Sequence, residues 1–195
     1  GNPLAAISSL VQILKRKSHD LDTIERYQMI GDQLRRIQGT LRELVDFSRP
    51  ANTQARLCDV RDTVEDALSI AKYYKRRKGK RIVTRYAEGL PTVRVVHDQL
   101  VQVFLNLILN AMDATPEGGT IEISTSLESG WLRINVRDTG HGILEANRNS
   151  IFEPYYTTKS TGTGLGLFVC RQLLERESNG QIDLTETGSD GTTFS

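Results

Sequence analysis

Five polar residues stand at helical spacing inside an otherwise apolar run. Gln99, Gln102, Asn106, Asn110 and Asp113 follow one another at intervals of three, four, four and three, so they form one stripe along a helix expected over Asp98–Ala114. Burying amides is costly unless something bonds them. For Gln99, Gln102 and Asp113 a solvated stripe is explanation enough. Asn106 and Asn110 invite a chemical role. Two carboxamides one turn apart can hold a hydrated Mg²⁺ and phosphate oxygens, because that ion takes oxygen ligands and keeps several waters.

Three further segments carry chemistry. Asp138-Thr139-Gly140-His141-Gly142-Ile143 follows a strand-like stretch. A carboxylate fixed there can accept a hydrogen bond from an exocyclic amine such as that of adenine, and the glycines let the backbone pass close to a ring. Alone, the segment is an ordinary turn. Gly162-Thr163-Gly164-Leu165-Gly166-Leu167 opens a helix expected over Leu165–Arg176. Backbone N–H groups at a helix N-terminus attract anions, but no strand immediately precedes this loop and it lacks the lysine of a P-loop. Between the two lies Phe152-Glu153-Pro154-Tyr155-Tyr156-Thr157-Thr158-Lys159, an aromatic segment suited to a hinge. Its Lys159 can meet a phosphate or simply stay solvated.

The elements that must position these groups are legible from their periods. Leu4, Ile7, Val11 and Leu14, then Tyr27, Ile30, Leu34, Ile37, Leu41 and Leu44, repeat at three and four. That is a heptad seam on two helices, with Ser18 or Asp20 as cap of the second. Leu10, Ile13, Ile24 and Val45 widen the stripe. A hairpin this small cannot bury both faces alone, so a dimeric four-helix bundle is expected, in preference to packing on the rest of the chain. Ser48–Arg56 reads as the end of the long helix and a linker. Boundaries follow at 1–50, 51–56 and 57–195. Beyond them, helices (Asp59–Lys75 first) alternate with strands at Ile82–Tyr86, Val93–Val96, Thr120–Ser126, Trp131–Arg137, Gln181–Thr187 and Thr192–Ser195. An α/β sandwich with one mixed sheet and helices on one face is expected.

Composition bounds the partners. The 195 residues carry 25 basic and 24 acidic side chains, a net charge of +1, which argues against a dedicated nucleic-acid binder. Two cysteines are too few for a disulfide framework or a zinc site and fit a reducing compartment. The longest apolar run, around Val103–Leu109, contains Asn106, so no membrane-spanning segment is expected. Gly1 is not a native start, and a piece cut from something longer is expected.

The order of the segments is more telling than any one of them. The chain resembles the sensor histidine kinases of two-component systems, across their dimerisation and catalytic core. NPLAAI (Asn2–Ile7) resembles the end of the phosphoacceptor box and NLILNAMDA (Asn106–Ala114) the asparagine box. DTGHGI and GTGLGL resemble the two glycine boxes, with IFEPYYTTK between them. The order also matches the wider ATPase superfamily shared with gyrase, heat-shock chaperones and mismatch-repair ATPases. Those relatives usually carry a water-activating glutamate where Asn106 stands, so ATP hydrolysis to water is not the expected reaction.

The resemblance implies roles residue by residue. Asn110 would coordinate Mg²⁺ bridging the ATP phosphates, with Asn106 supporting phosphates or metal. Asp138 would bind the adenine amine. Gly140 and Gly142 would shape the turn, Ile143 would cover the base, and Thr192 would add a weaker contact. Lys159, Gly162, Thr163, Gly164, Leu165 and Gly166 would close over the phosphates. Phe152, Tyr155 and Tyr156 would anchor a lid, short between Lys159 and Gly162. The partners implied are a second copy and a response-regulator receiver domain, in the cytoplasm, on a parent protein that can be anchored in the inner membrane.

One departure concerns the acceptor. The family pattern His-Glu-x-x-Asn-Pro puts the phosphoacceptor four residues before Asn2, upstream of Gly1. His19, His97 and His141 do not substitute for it; His97 reads as a surface or capping residue. The expectation is a chain that binds ATP–Mg²⁺ without autophosphorylating. Asn2 would keep the family's second role, orienting a water that dephosphorylates the regulator. The competing expectation is a nucleotide-sensing scaffold or regulator phosphatase without kinase activity.

Overall fold

The computed structural model describes residues 3–48, 54–74, 78–159, 162–177 and 180–195. Two compact units emerge from its contacts: Gly1–Arg49 with Pro154–Leu165, and Pro50–Glu153 with Gly166–Ser195.

The first unit contains an antiparallel helical pair, α1 (Pro3–Lys17) and α2 (Leu21–Ser48). Pro3 opens α1, where its missing N–H costs nothing, and Lys15, Arg16 and Lys17 close it, complementing the helix dipole. Asp20 caps α2: its Oδ2 accepts from the Thr23 N–H at 3.0 Å and from the Thr23 hydroxyl. These bonds hold the Asp20 carboxyl below its ordinary range. Lys15 and Gln28 bond across the pair. Val11 and Leu34 are buried, while Ile7, Leu10, Ile13, Leu14, Ile30 and Ile37 are exposed. Among the described side chains the apolar set is therefore divided: some members close the hairpin, and others form an uncovered apolar face, while the side chains of Leu41, Leu44 and Val45 lie outside the described ones.

The second unit runs β1 (Arg56–Cys58), α3 (Val60–Ala71), β2 (Arg81–Arg85), β3 (Val93–Val95), α4 (His97–Ala114), β4 (Thr120–Glu128), β5 (Trp131–Asp138), a 3-10 turn (Glu145–Asn147), α5 (Gly166–Glu177), β6 (Leu184–Gly188) and β7 (Gly191–Phe194). Five strands form one mixed sheet in the order β2-β4-β5-β7-β6. β2 and β4 are parallel and the other pairs antiparallel; α4 lies in the connection that parallel neighbours require. Leu100, Val103, Phe104, Leu107, Ile108, Ala111 and Met112 are buried on α4, which packs on α3, α5 and the sheet. Alternate residues of β4 (Ile121, Ile123, Thr125) are buried beneath the helices. This is the expected α/β sandwich.

Several details depart from the sequence reading. β1 pairs antiparallel with β3, although three residues carry no readable period. Asp59, where the helix is expected to begin, caps α3 and accepts from the Arg61 N–H at 2.8 Å, but the helix ends at Ala71, short of Lys75. β6 begins at Leu184 rather than Gln181, and its ladder is irregular between Leu184 and Glu186. His97 is half-buried. Its ring is 16% exposed, with Nε2 3.3 Å from Asp66 of α3 and Nδ1 3.3 Å from Asp98. Among the described residues, no helix is long and apolar enough to cross a membrane.

Candidate functional site: a polar row beside the asparagine helix

Asp138, the last residue of β5, sits on the helix-covered face of the sheet. Register puts it in a row across four neighbouring strands: Ile121 of β4, Asp138, Thr192 of β7 and Thr187 of β6. Directly opposed residues project from the same face. The next row inward is Ile123, Val136, Phe194 and Leu184, entirely apolar. The sheet's buried face thus turns polar at one end.

Asp138 and Thr192 are both 4% exposed. Burial pushes the Asp138 carboxyl up from its ordinary value. Hydrogen bonds from the Gly140 and Thr192 backbones and the nearby His141 oppose that rise without cancelling it. The Gly140 N–H donates to Oδ1 at 2.8 Å. A carboxylate so buried, held by backbone donors alone, retains acceptor capacity for a further donor.

The loop after Asp138 is wedged between two elements. A Cβ on Gly140 would lie 2.5 Å from the Ala114 carbonyl oxygen at the end of α4. Gly142 has φ +70°, and a Cβ there would lie 2.0 Å from the Gly188 carbonyl oxygen on the β6–β7 hairpin, so no side chain fits. Beyond it, the Ile143 N–H donates to the Thr187 hydroxyl at 2.8 Å. The loop therefore joins the end of α4 to the tip of the hairpin.

The same end of α4 is fixed from its other side. The Lys80 ammonium donates to the Met112 carbonyl at 2.6 Å, and the Thr115 hydroxyl to the Ala111 carbonyl at 2.6 Å. Carbonyl groups at a helix C-terminus need such partners. One turn and two turns upstream stand the half-buried Asn110 and Asn106. Asn106 lies beside the start of α5: a Cβ on Gly166 would be 3.9 Å from its side-chain carbon, and its carboxamide bonds Cys170. Burial pushes the Cys170 thiol up to about 12, so it is a neutral partner rather than a base. Gln99 departs from the solvated reading, since its Oε1 is buried without a hydrogen-bond partner.

Most of the remaining sequence-derived residues fall in the other unit. Lys159, Gly162, Thr163, Gly164 and Leu165 belong to the first unit. There the Leu165 N–H donates to the Thr163 hydroxyl at 3.4 Å, and Gly164 lies against the Tyr155 backbone. Tyr155, expected as an anchor, is exposed with φ +66°, a sparsely allowed conformation for a bulky residue. Phe152 does anchor: it is buried edge-on to Phe194, with Arg171 over its ring at 4.0 Å. Asn2 and the two residues between Lys159 and Gly162 lie outside the described residues. Thr187 and Cys170 were missed by the sequence reading, since neither belongs to a motif.

Comparison with known proteins identifies the family. The family described as Histidine kinase-, DNA gyrase B-, and HSP90-like ATPase matches residues 95–195, just over half of the 195. The chain belongs to this family and carries a sensor histidine kinase catalytic core. Sporulation kinase A of Bacillus subtilis (strain 168) is 32% identical over 195 residues, covering 99% of this chain and 32% of that kinase. Full-length ShkA in complex with AMPPNP shares the fold at TM-score 0.69 and 22% identity, over 98% of this chain and 42% of that one. Histidine kinase ThkA in complex with the response regulator TrrA does so at TM-score 0.68 and 23% identity, over 99% and 56%. The chain spans between a quarter and a half of the length of the curated relatives it matches.

Proposed function

We propose that the chain is the dimerisation and ATP-binding core of a two-component sensor histidine kinase. Residues 1–50 act as the dimerisation hairpin, 51–56 as the linker and 57–195 as the catalytic domain. The observation that carries the reading is the buried Asp138 carboxylate, held by backbone N–H groups beside the end of a helix bearing two carboxamides. An amine on an adenine ring would complete it. The names of the relatives support the same ligand and partner: ShkA is described with AMPPNP and ThkA with a response regulator.

Asn110, with Asn106 one turn away, suits Mg²⁺, which takes few protein oxygens and fills its shell with phosphate oxygens and water. Mg²⁺ bound there would neutralise phosphate charge. Among the described residues no cluster of three His, Cys, Asp or Glu competes as a metal site. Lys159, Gly162, Thr163, Gly164, Leu165 and Gly166 would supply cationic and N–H contacts to the phosphates. Ile143 would cover the base, and Thr192 would contact it.

The reading of the reaction rests on the residue types. A carboxamide at Asn106 is not a base, and its partner Cys170 is a neutral thiol, so neither activates water. The γ-phosphoryl would instead pass to an imidazole nitrogen, with the β–γ bridging P–O bond breaking and ADP leaving, and then to a receiver aspartate. Catalysis would rest on positioning and charge stabilisation. The acceptor is none of His19, His97 and His141, and His97 is already engaged by Asp66 and Asp98. Asn2 would act in regulator dephosphorylation. The exposed face of Ile7, Leu10, Ile13 and Leu14 supports a homodimer.

Calorimetric titration with ATP tests the site. Asp138→Ala is expected to lower affinity by at least about tenfold, as loss of a hydrogen bond between a charged acceptor and a ligand does. Asn110→Ala is expected to abolish the Mg²⁺ dependence of binding. Unchanged titration curves for both would refute the assignment.

A further inference from the structure

Neither packing nor the proposed contacts explain why Thr187 extends the polar row. Thr187 is half-buried, and a hydroxyl turned away from water is costly unless bonded. Thr187 spends its bonding in a particular direction. Its oxygen accepts the Ile143 N–H at 2.8 Å and lies 3.3 Å from the Thr192 hydroxyl oxygen. A hydroxyl has one proton and two lone pairs. With the backbone N–H filling one lone pair, the Thr187 proton is free to go to the Thr192 oxygen. Thr192 then keeps its own proton for a third group. Asp138 stands next in the row, with its carboxylate already accepting from Gly140.

We infer that Thr187 is a positioning residue that sets base specificity, polarising a hydrogen-bond relay from the Ile143 N–H through Thr187 to Thr192. The inference rests on the nucleotide-binding reading above. The row then offers a fixed acceptor, Asp138, beside a fixed donor, the Thr192 hydroxyl. Adenine presents the complement, an amine donor next to a ring-nitrogen acceptor. Guanine presents the reverse, a carbonyl next to an N–H. A reversed pair leaves polar groups unbonded in a buried site, which discriminates far more strongly than a missing methylene. The backbone supports the relay. The Gly142 backbone lies against the Gly188 carbonyl, with no room for a Cβ at Gly142.

The test is calorimetric titration of ATP and GTP against the wild-type chain, Thr187→Val, Thr187→Ser and Thr187→Ala. Valine keeps the β-branched shape and removes the hydroxyl; alanine removes it without adding a methyl. Both are expected to lower the ATP-to-GTP affinity ratio about tenfold, the equivalent of one hydrogen bond. Serine is expected to restore the ratio to within about twofold, because it retains the relay. A purely structural role would weaken both nucleotides equally and leave the ratio unchanged, which overturns the inference. If the wild-type chain binds ATP selectively and the variants keep its ratio, only the relay falls. If the wild-type chain binds no ATP, the nucleotide reading falls and takes the relay with it.

Discussion

The two units treat apolar side chains in opposite ways. In the α/β unit Ile108, Met112, Ile121 and Ile123 are fully buried, locked between α4 and the sheet. In the hairpin, Leu10 is 59% exposed and Ile7, Ile13 and Leu14 nearly as much. Both units are built from the same residue types at regular spacing. The first closes a core by itself, because a sheet and a helical layer together cover both apolar faces. Two helices cover only the stripe between them, and an uncovered apolar face of this kind marks an interaction surface. The hairpin is half of a core, which on the proposed reading a second copy completes.

Mutations can break this contrast. The largest effect is expected for Ile108→Ala, which opens a cavity at a fully buried position and should cost about 2–5 kcal/mol. Urea denaturation of the α/β unit's signal at the single Trp131 would read it. Leu10→Lys should behave differently. It is expected to shift the chain from dimer to monomer in sedimentation while moving the α/β unit's unfolding by under about 0.5 kcal/mol, as surface substitutions do. An unchanged dimer would show that the exposed face has another use.

The smallest effect sharpens the contrast from inside the closed core, where Asp138 is the exception. Its folded pKa is raised above 3.8 by burial. A carboxyl with a raised folded pKa contributes stability that is fully present below the unfolded value and lost as pH rises through the folded one. The nucleotide-free chain should therefore lose some stability as pH climbs from about 4 toward neutrality. Asp138→Asn should remove that part of the slope in urea midpoints measured against pH, even as it weakens ATP binding. Identical slopes would mean the carboxylate carries no such cost.

Much of this molecule was legible before folding. The period of α4 separated its buried face from the stripe holding Asn106 and Asn110, since a helix turns 3.6 residues at a time whatever surrounds it. Asp59 announced a helix start, and its side chain does cap α3. The Asp138 loop was recognisable because two glycines after a strand permit close backbone approach. What stayed hidden lacked a local period or a motif. β1 is three residues long. His97 reads as a surface residue until α3 brings Asp66 to its ring. Tyr155 reads as an anchor, yet its backbone turns the ring outward.

Thr187 marks the boundary between the two kinds of knowledge. The sequence by itself determined which residues were amphipathic, which loops could bend, and that a carboxylate, two carboxamides and a glycine-rich loop came in a telling order. Those properties depend on neighbours along the chain. Only the tertiary structure decided that Ile121, Asp138, Thr192 and Thr187 stand in one row, because that row joins the β4–β5 hairpin to the distant β6–β7 hairpin. Register, not composition, puts a threonine 44 residues downstream against the Ile143 N–H. Hydrogen bonds across a sheet are fixed by strand pairing, and strand pairing is settled only when the whole sheet closes.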